Sequence, residues 1–298
     1  MHDYFSGSNH LSRREFLKAL AAASGALLLP SFFSNDWLQT ALAQLPTPPF
    51  WWSSLRDGHI YGPEQAHACF GLPGSLMKLV AASALLEEGL ISPHQVLECR
   101  GTWVLKGKRY HCQQAHGKLT MAQALGVSCS IYFAQAAEVL SSHRFLQYAE
   151  AFQLNRPTRS GDGYLFPTQS AFRYSSQRLV LGLSTAMQPS AAQLLRMTRH
   201  IAKRDIAGFR PQTWQVLQTG MRLAATRGTA HNLDPANRLH IAAKTGTAPS
   251  GGTYQSWVVG YFPVENPKYV FCARALNGTA KDVVIPTASR YLLSHSWA

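Results

Sequence analysis

The sequence predicts a mixed α/β protein of the α+β type, in which helices flank an antiparallel sheet. Segments with helical composition and capping signals fill the middle of the chain, and three segments rich in β-branched and aromatic residues follow one another near its end. Strands joined by short turns pair antiparallel. We therefore expect one antiparallel sheet flanked by helices.

Each element rests on a local signal, such as a polar cap, a proline or a glycine stop. The predicted helices are residues 75–88, one starting at Ser92-Pro93, and residues 120–126, 130–140, 142–152, 190–203, 214–226 and 283–294. The predicted strands are residues 239–245, 256–262 and 269–276, the last two joined by a turn at 263–268. A separate hairpin with its turn at Gly107 is predicted between Cys99 and Cys112.

The first 43 residues predict a twin-arginine signal peptide. Arg13-Arg14 precede an apolar run at residues 19–33, and Ala41-Leu42-Ala43 offers small residues for a signal peptidase. We therefore expect a signal at 1–43 and one catalytic domain at 44–298 that folds before export. The expected location is the periplasm or cell surface, and an uncleaved signal that anchors the chain is the alternative.

Composition limits the classes of partner. With 46% hydrophobic and 14% charged residues, the chain has enough apolar material for a packed core. Its net charge of +13 suits anionic lipid, an anionic wall polymer or nucleic acid. The sequence contains no nucleic-acid motif and no dense Lys/Arg run, so we expect no nucleic-acid partner, and we keep association with a wall or membrane surface as a weaker expectation.

Cysteine spacing predicts one disulfide and no metal. Export permits disulfides, and the predicted hairpin brings Cys99 and Cys112 to its open end, where their thiols can face each other. Cys69, Cys129 and Cys272 are expected to be buried apolar residues. None of the Cys/His spacings resembles a metal site, so neither metal nor cofactor is expected.

Ser75 and Lys78 lie three residues apart at the start of a predicted helix. That spacing puts both side chains on one face, where a lysine can take the proton that makes serine a nucleophile. Apolar neighbours lower a lysine's proton affinity, and a helix N-terminus favours negative charge developing at the serine. On this pair alone, a capping serine and a surface lysine remain the simpler interpretation.

Two further motifs follow in the chain. Ser128-Cys129-Ser130 opens an amphipathic helix, and Lys244-Thr245-Gly246-Thr247 ends the apolar strand that begins at residue 241. On an edge strand, the lysine and threonine of the second motif can bind a substrate carboxylate, and its glycine lets a ligand approach the backbone.

In this order the three motifs are the set found in penicillin-recognising enzymes. The chain resembles the transpeptidase domain of class B penicillin-binding proteins over nearly all of residues 44–298, which implies a β-lactamase/transpeptidase-like fold with an all-helical subdomain. Other passages that carry the resemblance are Leu72-Pro73-Gly74-Ser75, Cys99-Arg100-Gly101, His116-Gly117, Tyr132-Phe133, Gly182, Met187-Gln188-Pro189, Gly228-Thr229-Ala230 and Gly260-Tyr261-Phe262-Pro263.

The resemblance implies acyl transfer from a D-Ala-D-Ala-type stem peptide of peptidoglycan. Ser75 would attack the carbonyl, Lys78 would accept its proton, and Ser128 would relay a proton to the leaving amine. Backbone N–H groups of Ser75 and Thr247 would form the oxyanion hole. The implied substrate-binding residues are Ser130, Lys244, Thr245, Gly246 and Thr247. The acyl group would pass to an amine or to water, and a β-lactam would instead trap Ser75.

Two departures from the family pattern keep alternatives open. Ser130 replaces the usual asparagine, and its shorter hydroxyl offers one donor to the substrate amide. Only about 30 residues separate the predicted signal from Ser75, so a small stand-alone form is expected. One alternative is a serine β-lactamase, although Glu150 lies one residue too far from Leu154-Asn155 for a deacylating E-x-x-L-N pattern. The other is a non-catalytic pseudo-transpeptidase that binds wall peptide or a partner protein.

Overall fold

Five of the strands form one antiparallel sheet. The computed structural model describes residues 48–63, 66–154 and 175–297, so the predicted signal at 1–43 lies outside the described residues. The strands are β1 (Phe50–Ser54), β2 (Ile60–Tyr61), β3 (Leu97–Cys99), β4 (Thr102–Leu105), β5 (Lys108–His111), β6 (Gly117–Leu119), β7 (Ala242–Ser250), β8 (Thr253–Phe262) and β9 (Tyr269–Leu276). The sheet order is β2-β1-β9-β8-β7, which places β7 at an edge.

Helices pack on this sheet, as predicted. They are α1 (Met77–Glu87), α2 (Met121–Gly126), α3 (Ser130–Ala136), α4 (Ser142–Ala151), α5 (Ser176–Val180), α6 (Ala191–Lys203), α7 (Pro211–Arg227) and α8 (Ile285–Ser294). A 3₁₀ turn at Gly74–Leu76 leads into α1, and a π turn at Ala280–Val284 leads into α8. The mixed α/β class with an antiparallel sheet is confirmed.

The sheet divides the core in two, because successive strand residues point to opposite faces. Val259 of β8 belongs to the larger cluster, together with α1, and its neighbour Val258 belongs to the smaller cluster beneath α8. Residues 77–86 of α1 are all buried, as expected for a helix that is apolar on every side. Within the described residues, every helix is too short or too polar to cross a membrane.

The predicted hairpin is confirmed, and the helix expected at Ser92-Pro93 is wrong. Strands β4 and β5 pair in register around Lys106-Gly107, where both residues have positive φ. After Ser92, the chain makes one turn in which the Gln95 N–H donates to the Ser92 carbonyl, and β3 begins two residues later. The pairing of β3 with β6 leaves too few residues there for a helix.

Candidate active site

Ser75 lies where the 3₁₀ turn meets α1, half-buried beside a cleft of about 840 Å³. The predicted residues that line the same cleft are Ser75, Ser128, Ser130, Thr245 and Thr247. The N-terminal end of a helix carries partial positive charge, so an oxyanion that forms at Ser75 would be stabilised there.

Lys78 lies in the first turn of α1 and is fully buried. Its Nζ donates to the Ser128 carbonyl oxygen at 2.6 Å and to Ser130 Oγ at 3.1 Å. Burial lowers the pKa of Lys78 from 10.5 to about 8, although Cys129 and Cys112 partly oppose this shift. With a pKa of about 8, Lys78 is mostly protonated at neutral pH but keeps a neutral fraction, on the order of a tenth, that can accept a proton.

Ser128 joins the two lysines of the site. Its φ is +56°, in a tight bend between α2 and α3, and the Cys129 sulfur caps α3 by accepting the Tyr132 N–H at 3.3 Å. Lys244 Nζ donates to Ser128 Oγ at 2.8 Å, whereas Lys78 binds the carbonyl of the same residue. Ser128 is thus bonded to both amines through different atoms, to Lys244 through its hydroxyl and to Lys78 through its carbonyl.

The K-T-G residues lie on β7, on the free edge of the sheet. Lys244 is fully buried and also donates to the Thr245 carbonyl, and burial, followed by the positive charge of Lys78, lowers its pKa. Thr245 Oγ1 donates to Thr229 Oγ1 at 2.7 Å, and Thr247 Oγ1 accepts the Ala280 N–H at 3.2 Å. Both threonines line the cleft, whereas the buried Lys244 is not among its lining residues.

Glycines allow the 3₁₀ turn that carries Ser75 to pack closely against β7. A Cβ on Gly74, whose φ is +55°, would lie 2.5 Å from the Thr247 oxygen, and a Cβ on Gly246 would overlap the Pro73 oxygen. On its other side, Gly74 donates its N–H to the Gly182 carbonyl at 3.1 Å. Gly182 has φ +66° and approaches so closely that any Cβ there would overlap Gly74. Backbone contact thus sets the position of Ser75 relative to Thr247.

All eight predicted site residues come together, but the predicted disulfide is wrong. Cys99 and Cys112 are both free. Cys112 Sγ instead lies 3.7 Å from Cys129 Sγ, and Cys99 Sγ lies 3.5 Å from His116 Nδ1. The sequence spacing also did not predict that Cys99, Cys112, His116 and Cys129 cluster in space. Their spacing in the sequence lacks the close cysteine pairs that would have revealed them.

Two supporting residues were missed as members of the site. Gly182 and Thr229 carried the family resemblance, but their sequence context assigns them no role. The signal that could have indicated Gly182 is a glycine just after a short helix, which is typical of a positive φ. Its contact with Gly74 depends on the tertiary fold.

The arrangement of sheet and helices defines the class of penicillin-binding, transpeptidase-like folds. The chain superposes on the transpeptidase domain of Burkholderia pseudomallei penicillin-binding protein 3 with a TM-score of 0.71 and 19% identity, covering 86% of this chain and 89% of that one. Pseudomonas aeruginosa PBP2, solved in complex with WCK 5153, gives 0.73 and 19%, covering 86% and 75%.

Sequence comparison identifies the family. The profile described as "Penicillin binding protein transpeptidase domain" matches residues 72–286, and the chain belongs to this family. PbpB of Mycolicibacterium smegmatis is 28% identical over an aligned length of 244, with coverage of 66% of this chain and 38% of PbpB. PbpB of Mycobacterium tuberculosis is 27% identical over 66% of this chain and 36% of its own length. The chain thus spans less than two-fifths of these curated relatives.

Proposed function

We propose that the chain is an exported serine acyltransferase that binds penicillin and acts on D-Ala-D-Ala-type stem peptides of peptidoglycan. The observation that carries this proposal is the shared position of Ser75 and the buried amine of Lys78 at the start of one helix, beside the edge strand β7. The predicted twin-arginine signal supports export to the periplasm or cell surface.

In the proposed reaction, Ser75 Oγ attacks the carbonyl carbon of the penultimate D-alanine and its proton passes to Lys78 Nζ. Backbone N–H groups of Ser75 and Thr247 stabilise the oxyanion. The C–N bond then breaks, and the proton reaches the departing D-alanine amine through Ser128. An ester on Ser75 remains. An acceptor amine attacks it in transpeptidation, and water attacks it in the carboxypeptidase reaction.

The contacts of Lys244 and Ser130 support roles that differ from the substrate-binding roles the family resemblance implies for them. Because Thr245 and Thr247 line the cleft, their hydroxyls are suited to donate to the substrate carboxylate. Lys244 is fully buried and holds the Ser128 hydroxyl, so we assign it mainly to orienting the proton relay. Ser130 Oγ accepts a hydrogen bond from Lys78 Nζ, so we assign Ser130 to positioning this amine as well as to binding the substrate amide.

The test is an intact-mass time course of the purified chain with benzylpenicillin, run beside turnover of a chromogenic cephalosporin. We expect one penicilloyl adduct that persists, with little cephalosporin turnover. An adduct that forms and disappears quickly, with fast turnover, would indicate a β-lactamase. If no adduct forms at any penicillin concentration, the chain is a binding scaffold and the proposal is wrong.

Replacing Gly182 by alanine should slow acylation by roughly a hundredfold, because displacing the Ser75 turn by about 1 Å is enough for such a loss. The matched control is Gly89→Ala, since Gly89 has the same φ of +66° but open space where the Cβ would lie. Both variants should carry a similar left-handed strain of about 1–2 kcal/mol.

The two variants separate backbone strain from the contact with Gly74. The measurements are the second-order acylation rate constant with benzylpenicillin and the melting temperature. Equal losses of acylation rate in Gly182→Ala and Gly89→Ala would contradict the role we assign to Gly182.

A further inference from the structure

Four potential metal ligands meet behind the second serine motif. They are the thiols of Cys99, Cys112 and Cys129 and the imidazole of His116, and their ligand atoms all lie within 4.8 Å of one another. Cys99 and Cys129 are buried, and the other two are half-buried. Such a group of soft ligands, sheltered from solvent, is what a tetrahedral zinc site requires.

The topology explains why residues distant in sequence meet here. Cys99 ends β3, and its partner in the β3–β6 ladder is Gly117, which directly follows His116. Cys112 directly follows β5, where its N–H donates to the Gly101 carbonyl at 3.1 Å and closes the hairpin beside Cys99. Cys129 enters from another direction, as the cap of α3.

Two of the separations between ligand atoms match the edges of a tetrahedral site. With Zn–S near 2.3 Å and Zn–N near 2.05 Å, the edges of the tetrahedron are about 3.75 Å between two sulfurs and about 3.55 Å between sulfur and nitrogen. Cys112 Sγ and Cys129 Sγ are 3.7 Å apart, and Cys99 Sγ and His116 Nδ1 are 3.5 Å apart. Since no pair exceeds 4.8 Å, side-chain shifts of about 1 Å would bring all four atoms onto one ion.

Backbone groups support the sulfurs as ligands. The Ile131 N–H donates to Cys112 Sγ at 3.4 Å, and the Tyr132 N–H donates to Cys129 Sγ at 3.3 Å. Donors of this kind orient ligands and stabilise the charge of a thiolate. Both amides belong to the first turn of α3, whose N-terminus also favours negative charge nearby.

We propose that Cys99, Cys112, His116 and Cys129 bind one structural zinc ion. Four protein ligands close the coordination sphere, so the ion would hold structure and would not activate water. A disulfide is the competing outcome for Cys112 and Cys129, but it would leave Cys99 and His116 without a function in the cluster.

The ion would hold the second serine motif in place. Cys129 lies between Ser128 and Ser130, which both accept hydrogen bonds from Lys78. Zinc would tie this motif to β3, to the β4–β5 hairpin and to the start of β6. This consequence for catalysis rests on the proposed function, whereas metal binding itself does not.

Export in the folded state would suit such a site. A chain carrying the predicted twin-arginine signal would fold in the reducing cytoplasm, where its thiols stay reduced and can acquire zinc before export.

The test measures zinc by elemental mass spectrometry, and free thiols after denaturation, in the full chain purified without chelators. We expect close to one zinc ion per chain. The Cys99→Ser and His116→Ala variants should each retain less than about a tenth of it, because loss of a ligand opens the tetrahedral site. The control is Cys69→Ser, which removes a thiol that lies outside the cluster and contacts Arg274, and it should keep the metal.

Further readouts keep the result independent of folding and of acylation. Cobalt exchanged into the wild-type chain should give the visible absorption of a tetrahedral thiolate site, and Ser75→Ala should bind zinc normally. Stoichiometric zinc without any penicillin adduct would sustain the metal site and reject only the proposed function. A Cys112–Cys129 disulfide in the purified chain, or free thiols with neither zinc nor cobalt bound, would overturn the metal proposal.

Discussion

Ser75→Ala is expected to abolish the penicilloyl adduct completely while the chain stays folded. In the proposed reaction the Ser75 hydroxyl oxygen forms the covalent bond to the acyl group, so its removal leaves no nucleophile at that position. Ser75 is half-buried at the cleft, so removal of its hydroxyl leaves the packing of the 3₁₀ turn nearly unchanged. Intact mass after incubation with benzylpenicillin, followed by peptide mapping of the wild-type adduct, measures the effect.

Ser83→Ala is the matched control for this prediction. Ser83 lies farther along α1, fully buried, and its hydroxyl donates to the Leu79 carbonyl at 3.0 Å within the helix. The variant should acylate at the wild-type rate. A penicilloyl adduct that persists in Ser75→Ala would mean that another residue is the nucleophile.

Lys78→Met should lower the acylation rate constant by about a thousandfold, within the range of about 10²–10⁴ that a general base contributes. Methionine fills a similar volume in this buried position without a titratable group, so the core should remain packed. Lys203→Met, on the exposed end of α6, is the control and should leave the rate unchanged.

The same lysine predicts the pH dependence of the wild-type rate. Burial lowers the pKa of Lys78 to about 8, so the neutral amine predominates above that pH and the protonated amine below it. The acylation rate should therefore rise with pH, reach a plateau above about pH 9, and fall about tenfold for each pH unit below about 7. The experiment is a pH series of acylation rates.

Neighbouring groups that face Lys78 define the controls for this pH series. They are Lys244 on β7, the thiols of Cys129 and Cys112, and the ring of Phe133 at 5.9 Å. The rise near pH 8 should disappear in Lys78→Met and persist in Lys203→Met. A rise of equal size in Lys78→Met would assign the titration to another group, with Lys244 the first to examine.

Local signals predicted most of the fold. Capping residues and apolar runs placed α1, α4, α6 and α7 close to their observed bounds, because the information that starts and stops a helix is local. The Gly107 turn predicted the hairpin of β4 and β5 for the same reason. Strand β1 was not predicted, since its partner β9 lies at the opposite end of the chain.

In the candidate site, too, local sequence predicted the contacts between near neighbours and not those between distant residues. Ser75 and Lys78 could be paired from sequence because they lie three positions apart at the start of a predicted helix. The cysteine cluster could not, and the local hairpin instead indicated a Cys99–Cys112 disulfide that does not form. Cys99 is brought to His116 by the β3–β6 ladder, and Cys129 meets Cys112 where α3 begins.

The amino-acid sequence by itself determined the chemistry available to this protein: a serine and a lysine on one helical face, a second serine motif and a K-T-G strand, in an order that marks the family. The tertiary structure decided how these groups interact. Burial lowers the pKa values of Lys78 and Lys244, and the contact of Gly74 with Gly182 and Thr247 sets the position of Ser75. Desolvation and backbone contact depend on segments far apart in the chain, so no local pattern reveals them.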